Sequence, residues 1–136
     1  MDKKTRVYVD TAAFIAFRDR SDSYHSLFIQ LFSNPPSLMT TSLVIAEGHG
    51  WFLKRYDQAR ALQFVSFIES LKPLEIIPVG TEVLSGSYGI LRKFSDQDLT
   101  LADAAGLWLM KKNHIATCWS TDRHLRLMGA SLAIDR

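Results

Sequence analysis

Short runs rich in β-branched and aromatic residues alternate along this chain with longer stretches whose apolar residues recur every three to four positions. Runs of the first kind suit strands buried in a sheet, and stretches of the second kind suit helices that turn one apolar face toward it. Strands are predicted at Arg6 to Asp10, Leu38 to Thr40, Glu75 to Val79, Ile115 to Ser120 and Ser131 to Ile134. Helices are predicted at Thr11 to Arg18, Tyr24 to Phe32, Ser42 to Lys54, Gln58 to Leu71, Glu82 to Phe94, Leu101 to Lys112 and Arg123 to Met128. Strands separated by helices need crossover connections, so the expected class is α/β around a parallel sheet. Asn34-Pro35-Pro36-Ser37, Lys72-Pro73 and Pro78-Val79-Gly80 punctuate the elements as turns. With no repeat, low-complexity tract or long linker, residues 1–136 read as one domain.

Hydrophobic residues make up 47% of the chain and charged ones 22%, which is enough apolar material for a sizeable core and excludes disorder. A formal charge of +2 is too small to announce nucleic-acid binding by itself. Basic pairs such as Lys3-Lys4, Lys54-Arg55 and Lys111-Lys112, with Arg18 and Arg20, read first as solvated surface and second as phosphate contacts. The single cysteine, Cys118, excludes an internal disulfide and is expected inside a strand. No apolar stretch reaches the roughly 18 residues of a membrane span, and the start from Met1 to Arg6 lacks a signal-peptide core. A cytoplasmic location is expected.

Candidate chemistry enters with four acids in apolar settings. Asp10 closes the run Val7-Tyr8-Val9, Glu47 interrupts an apolar helix, Asp103 lies in the first turn of a later helix, and Asp122 follows another strand-like run. The ends of parallel strands meet at one sheet edge, so at least two of these carboxylates should face each other there. Converging carboxylates call for a divalent cation, and a cation among oxygens points to phosphodiester chemistry. Leu43, Val44 and Trp51 share the helical face of Glu47, which predicts a carboxylate held against apolar groups and in need of a partner. An arginine partner is the plainer alternative. Asp103 also completes Thr100-Leu101-Ala102-Asp103, a capping box, and Asp10 and Asp122 could be helix caps after strands.

Other chemistries find less support. The four histidines form no i, i+4 pair and have no cysteine partner, so zinc is not indicated, and a surface or supporting role is expected for each. There is no nucleophile elbow or phosphate-binding loop, and Gly48-His49-Gly50 inside a helix is no dinucleotide fingerprint. Trp51, Trp108 and Trp119 fall in apolar periods and are expected in the core. Asp96 and Asp98 read as turn residues.

Taken together, Val7 to Thr11 with Asp22 to His25, Thr40 to Glu47, Asp96 to Ala104, and Ser120 to His124 before Gly129 resemble the PIN domain, in particular the short VapC-type ribonuclease toxins of toxin–antitoxin systems. These segments span nearly the whole chain in the family's order. The resemblance implies a three-layer α/β/α sandwich with the acids at the C-terminal edge of the sheet. It makes Asp10, Glu47, Asp103 and Asp122 the catalytic and metal-ligating cluster, with Thr11 and Thr121 as supporting hydroxyls. It also implies Mg²⁺, with Mn²⁺ as a substitute, an RNA substrate, a small antitoxin and a homodimer. Ala12 and Ala102 stand where the family often has serine and threonine, and an RNA- or protein-binding module with little nuclease activity is the rival reading.

Overall fold

The computed structural model describes residues 6–135, so Lys3, Lys4 and all but Arg6 of the stretch read for a leader lie outside the described residues. Strands β1 (Val7–Val9), β2 (Leu38–Thr41), β3 (Leu74–Ile77), β4 (Thr117–Trp119) and β5 (Ser131–Leu132) form one sheet in the order β3-β2-β1-β4-β5. Every neighbouring pair is parallel, as the alternation of strands and helices required. Helices α1 (Thr11–Arg18), α2 (His25–Ser33), α3 (Ser42–Arg55), α4 (Gln58–Ser70), α5 (Thr81–Lys93) and α6 (Leu101–Lys112) supply the crossovers. None of them is long and apolar enough to cross a membrane.

Side chains that alternate along the strands divide the core in two. Val7, Val9, Leu38 and Trp119 pack with α1 to α4 on one face of the sheet. Tyr8, Met39, Cys118 and Leu132 pack with α5 and α6 on the other, and the free Cys118 is buried as expected. The first face is aromatic: Phe14 lies 5.7 Å from Phe32, 6.1 Å from Phe64 and 6.3 Å from Phe67 between ring centroids. Burying each such ring contributes roughly 1.5–3 kcal/mol. The result is the three-layer α/β/α arrangement.

Two elements differ from the sequence expectation. Arg123 to Met128 is not an α-helix; a 3-10 turn covers Arg123–Arg126 and ends before Gly129, whose φ is +99°. The short connection from Trp119 to Ser131 must return the chain to the start of β5, and a 3-10 turn advances farther per residue than an α-helix. Likewise β5 holds only two residues before a second 3-10 turn at Ala133–Asp135, so the strand expected through Ile134 stops early at the sheet edge.

Glycine fixes how closely α6 approaches the sheet. A Cβ on Gly106 would stand 2.7 Å from the ring of the fully buried Tyr8. Gly106→Ala should therefore cost about 1–2 kcal/mol, the overpacking penalty less the gain in helix propensity. Gly89 in α5 has open space around it, and Gly89→Ala should stabilise by up to about 1 kcal/mol. Urea denaturation of the two variants checks both signs.

The topology also locates the crevice. From β1 the chain builds outward through β2 to β3, then returns to the other side of β1 to add β4 and β5. Connections leave the C-terminal ends of β1 and β4 in opposite directions, and ligands of open parallel sheets bind at such a switch point.

Candidate active site

Asp10 follows β1 at that switch point, and its backbone N–H donates to the Trp119 carbonyl at 3.0 Å, one rung beyond the β1–β4 ladder. The register Val9↔Trp119 thus sets Ser120 level with Asp10. Ser120 Oγ donates to Asp10 Oδ2 at 2.9 Å and accepts the Asp122 N–H at 2.9 Å, which ties the two strand ends together. Sequence reasoning passed over Ser120 in favour of Thr121, which makes no hydrogen bond to the four acids among the described residues. The signal was there: a polar residue one step past an apolar strand, on the rung beside an aspartate.

Glu47 reaches the same place from α3. Thr11 Oγ1 donates to Glu47 Oε1 at 2.7 Å, so the first residue of α1 orients a carboxylate carried 36 residues later. The structure corrects the expectation that Glu47 is pressed against apolar neighbours, because it is exposed to the cleft. Val44, Gly48 and Phe52 form the buried side of α3, whereas Leu43 and Trp51 are only half-buried and leave Glu47 open between them. Trp51, expected in the core, packs half-buried against it and also lines the cleft wall.

Asp103 caps its helix and also lines the cleft. Its backbone N–H donates to Thr100 Oγ1 at 3.1 Å and its Oδ2 accepts the Thr100 N–H at 3.0 Å, a complete capping box. Oδ1 takes no part in the box. Asp122 caps the 3-10 turn by accepting the His124 N–H at 3.0 Å, and His124 Nδ1 lies 3.0 Å from Asp122 Oδ1. One ligand atom each from Asp103, Asp122 and His124 lie within 4.8 Å of one another. His124 is thereby drawn into the cluster, a place its spacing in the sequence did not reveal.

The four acids, with Thr11, Ala12, Ile15, Trp51 and Lys54, line a cleft of about 420 Å³. Asp10 is 4% exposed, and its carboxyl is pushed up to about 7 by burial and then by the charge of Asp103, against the lowering effect of the Ser120 hydrogen bond. Burial also raises Asp103, helped by Asp122 and Glu47 and opposed by its bonds to Thr100. Each carboxylate thus disfavours ionisation of another. Among the described residues no lysine or arginine pairs with any of the four within 4 Å. Among the described residues Asp103 and Asp122, with His124, stand close enough to share one ion, while Asp10 and Glu47 line the same cleft outside that group; carboxylates without a paired lysine or arginine suit a divalent cation.

Ser120→Ala should remove a donor to the ionised form of Asp10 and move its titration upward. Stability should also fall by about 1 kcal/mol with the lost bond. Denaturation midpoints measured across pH check both effects.

Several solved structures share this architecture. VapC20 of Mycobacterium tuberculosis, a toxin that cleaves the sarcin–ricin loop, superposes with a TM-score of 0.84 at 20% identity, over 92% of this chain and 96% of that one. PAE2754 from Pyrobaculum aerophilum gives a TM-score of 0.69 at 16% identity, over 97% and 86% of the two chains. VapBC2 from Rickettsia felis, bound to a DNA fragment from its promoter, gives 0.62 at 14% identity, over 93% and 96%. No curated protein matches significantly in sequence. At such identities the superpositions speak for the fold alone. The sequence model of the PIN domain matches residues 7–130, nearly all of that sheet and its helices, and the chain belongs to the PIN domain family.

Proposed function

We propose that this protein is a divalent-metal-dependent endoribonuclease that hydrolyses phosphodiester bonds in RNA and serves as the toxin of a cytoplasmic toxin–antitoxin pair. The observation that carries the reading is the gathering of Asp10, Glu47, Asp103 and Asp122 around one cleft with no lysine or arginine paired to them among the described residues. Asp10, Glu47 and Asp103 are the ligand carboxylates, and Asp122 either joins them or orients the attacking water. Mg²⁺ or Mn²⁺, when bound, supplies charge neutralisation at the phosphate and acidifies water at neutral pH.

The chain's own residues set the geometry. Ser120 holds the Asp10 carboxylate and Thr11 the Glu47 carboxylate in fixed orientations, as partners behind a metal site do. His124 restrains Asp122 through Nδ1 and the backbone N–H. Single-stranded or loop RNA is the expected substrate, because its backbone can be drawn into the cleft for in-line attack. The likeness to VapC20 and VapBC2 supports the toxin role, a small antitoxin and self-association as parts of the same proposal.

Ala12, on the cleft wall, keeps a second reading in play: a module that binds RNA without appreciable cleavage. A titration of Mg²⁺ or Mn²⁺ against cleavage of a single-stranded RNA separates the two. The nuclease reading expects cleavage that follows metal concentration, stops with chelator and is lost in Glu47→Gln, while the melting temperature of the parent rises with metal. Metal binding with no cleavage of any RNA by the parent leaves the binding module.

A further inference from the structure

The wall of Ile15, Trp51 and Lys54 leads from the acids to a second hollow of about 610 Å³ near the C-terminal ends of α1 and α3, lined in part by Arg18, Arg20, Tyr56 and Arg60. The rings of Trp51 and Tyr56 meet edge to face at 6.1 Å, so the aromatic surface is continuous between the two hollows. The Arg60 guanidinium sits 4.6 Å from the centre of the Tyr56 ring and that of Arg55 at 5.9 Å. Tyr56 is held from below. Its hydroxyl donates to Oδ1 of buried Asp19 at 2.8 Å, and the same oxygen accepts the Ser21 N–H and hydroxyl.

The nearby acids offset only part of the basin's positive charge. Asp19, which lines the hollow and faces Arg55, and Asp57, which caps α4 by accepting the Arg60 backbone N–H, keep their charges but are outnumbered by the four arginines around them. Among the described residues, Arg18, Arg20, Arg55 and Arg60 enter no ion pair within 4 Å. Unpaired guanidiniums suit the phosphates of a single strand. A cleft lined by carboxylates has little backbone affinity of its own, so the strand needs cationic purchase elsewhere.

We propose that this basin is a second subsite for the RNA strand, which runs from the acids along the groove between α1 and α3; the proposal rests on the nuclease reading above. From Glu47 to Tyr56 helix α3 advances about 13 Å at roughly 1.5 Å per residue, so the basin meets nucleotides a few steps from the scissile phosphate. Arg20 and Arg60, both exposed, take phosphates. Continuity with the acidic cleft favours the substrate strand over an acidic protein as the occupant.

The test uses the full chain with Asp10→Asn, so that RNA stays intact, with and without Arg20→Glu/Arg60→Glu. Binding of a single-stranded dodecanucleotide and of a trinucleotide is followed by fluorescence anisotropy over a range of salt. Charge reversal should weaken the dodecanucleotide at least about tenfold and reduce the slope of log K against log salt by about 1.4, two phosphate contacts at roughly 0.7 each. The trinucleotide should lose much less. If charge reversal unfolds the protein, Arg20→Gln/Arg60→Gln should give the same pattern at smaller size. Equal affinity and slope with and without the substitutions, or equal losses on both RNAs, overturns the subsite while leaving the nuclease intact. Failure of the Asp10→Asn protein itself to bind any RNA overturns the nuclease reading from which the subsite follows.

Discussion

Asp10→Asn should make the metal-free protein more stable than its parent near pH 8, by an amount on the order of 4 kcal/mol. Asp10 ionises at about 7 in the folded chain against 3.8 as its ordinary value, because it is buried beside Asp103. Below the lower value both states are protonated and no penalty exists. As pH rises between the two values, the unfolded chain releases a proton that the folded chain retains, and stability falls by about 1.4 kcal/mol per unit until Asp10 ionises in the fold as well. Asparagine keeps the size and still accepts from Ser120, but it has no proton to lose. Urea midpoints in chelator should therefore fall from about pH 4 to pH 8 for the parent and fall much less for the variant. Adding Mg²⁺ should recover the parent and leave the variant little changed. A flat parent profile, with Asp10→Asn no more stable, would remove the electrostatic case for a cation site.

On the proposed nuclease reading, Asp103→Asn should lower RNA cleavage by at least about 100-fold, since losing a ligand should cost no less than losing a partner behind one. Its melting temperature should stay near that of the parent. The amide oxygen can still accept the Thr100 N–H, so the capping box survives, while the charge that raises Asp10 disappears. The measurements are a thermal melt and a cleavage rate on folded protein. A variant that melts far lower yet cleaves at the parental rate would show that Asp103 is only a helix cap.

Much of the fold was legible because its signals are local. The apolar period of Thr11 to Arg18 and of Leu101 to Lys112 gave the bounds of α1 and α6 as the structure has them, and Pro73 and Gly80 marked the starts of β3 and α5 within a residue or two. The 3-10 turn at Arg123–Arg126 was not legible, because the constraint that tightens it is the distance back to β5, which no local pattern records. The site divides in the same way. Asp10 and Asp122 could be placed from strand ends alone. The exposure of Glu47 could not, because the packing of Gly48 against Phe64 decides which side of α3 is buried, and that contact joins two helices. Ser120 and His124 acquire their roles only from register and from a turn closing on itself.

The sheet order has a consequence for biosynthesis. Asp10 and Ser120 are hydrogen-bonded across 110 residues, and the strand that brings Ser120 and Asp122 is inserted beside β1 only after β2 and β3 have been made. A nascent chain can therefore carry Asp10 and Glu47 through most of translation without presenting a complete cleft. Contacts of such long separation also form late in folding. Assembly of the cleft is thereby coupled to completion of the whole sheet, so that partly made or partly unfolded copies should lack the activity altogether rather than retain a fraction of it.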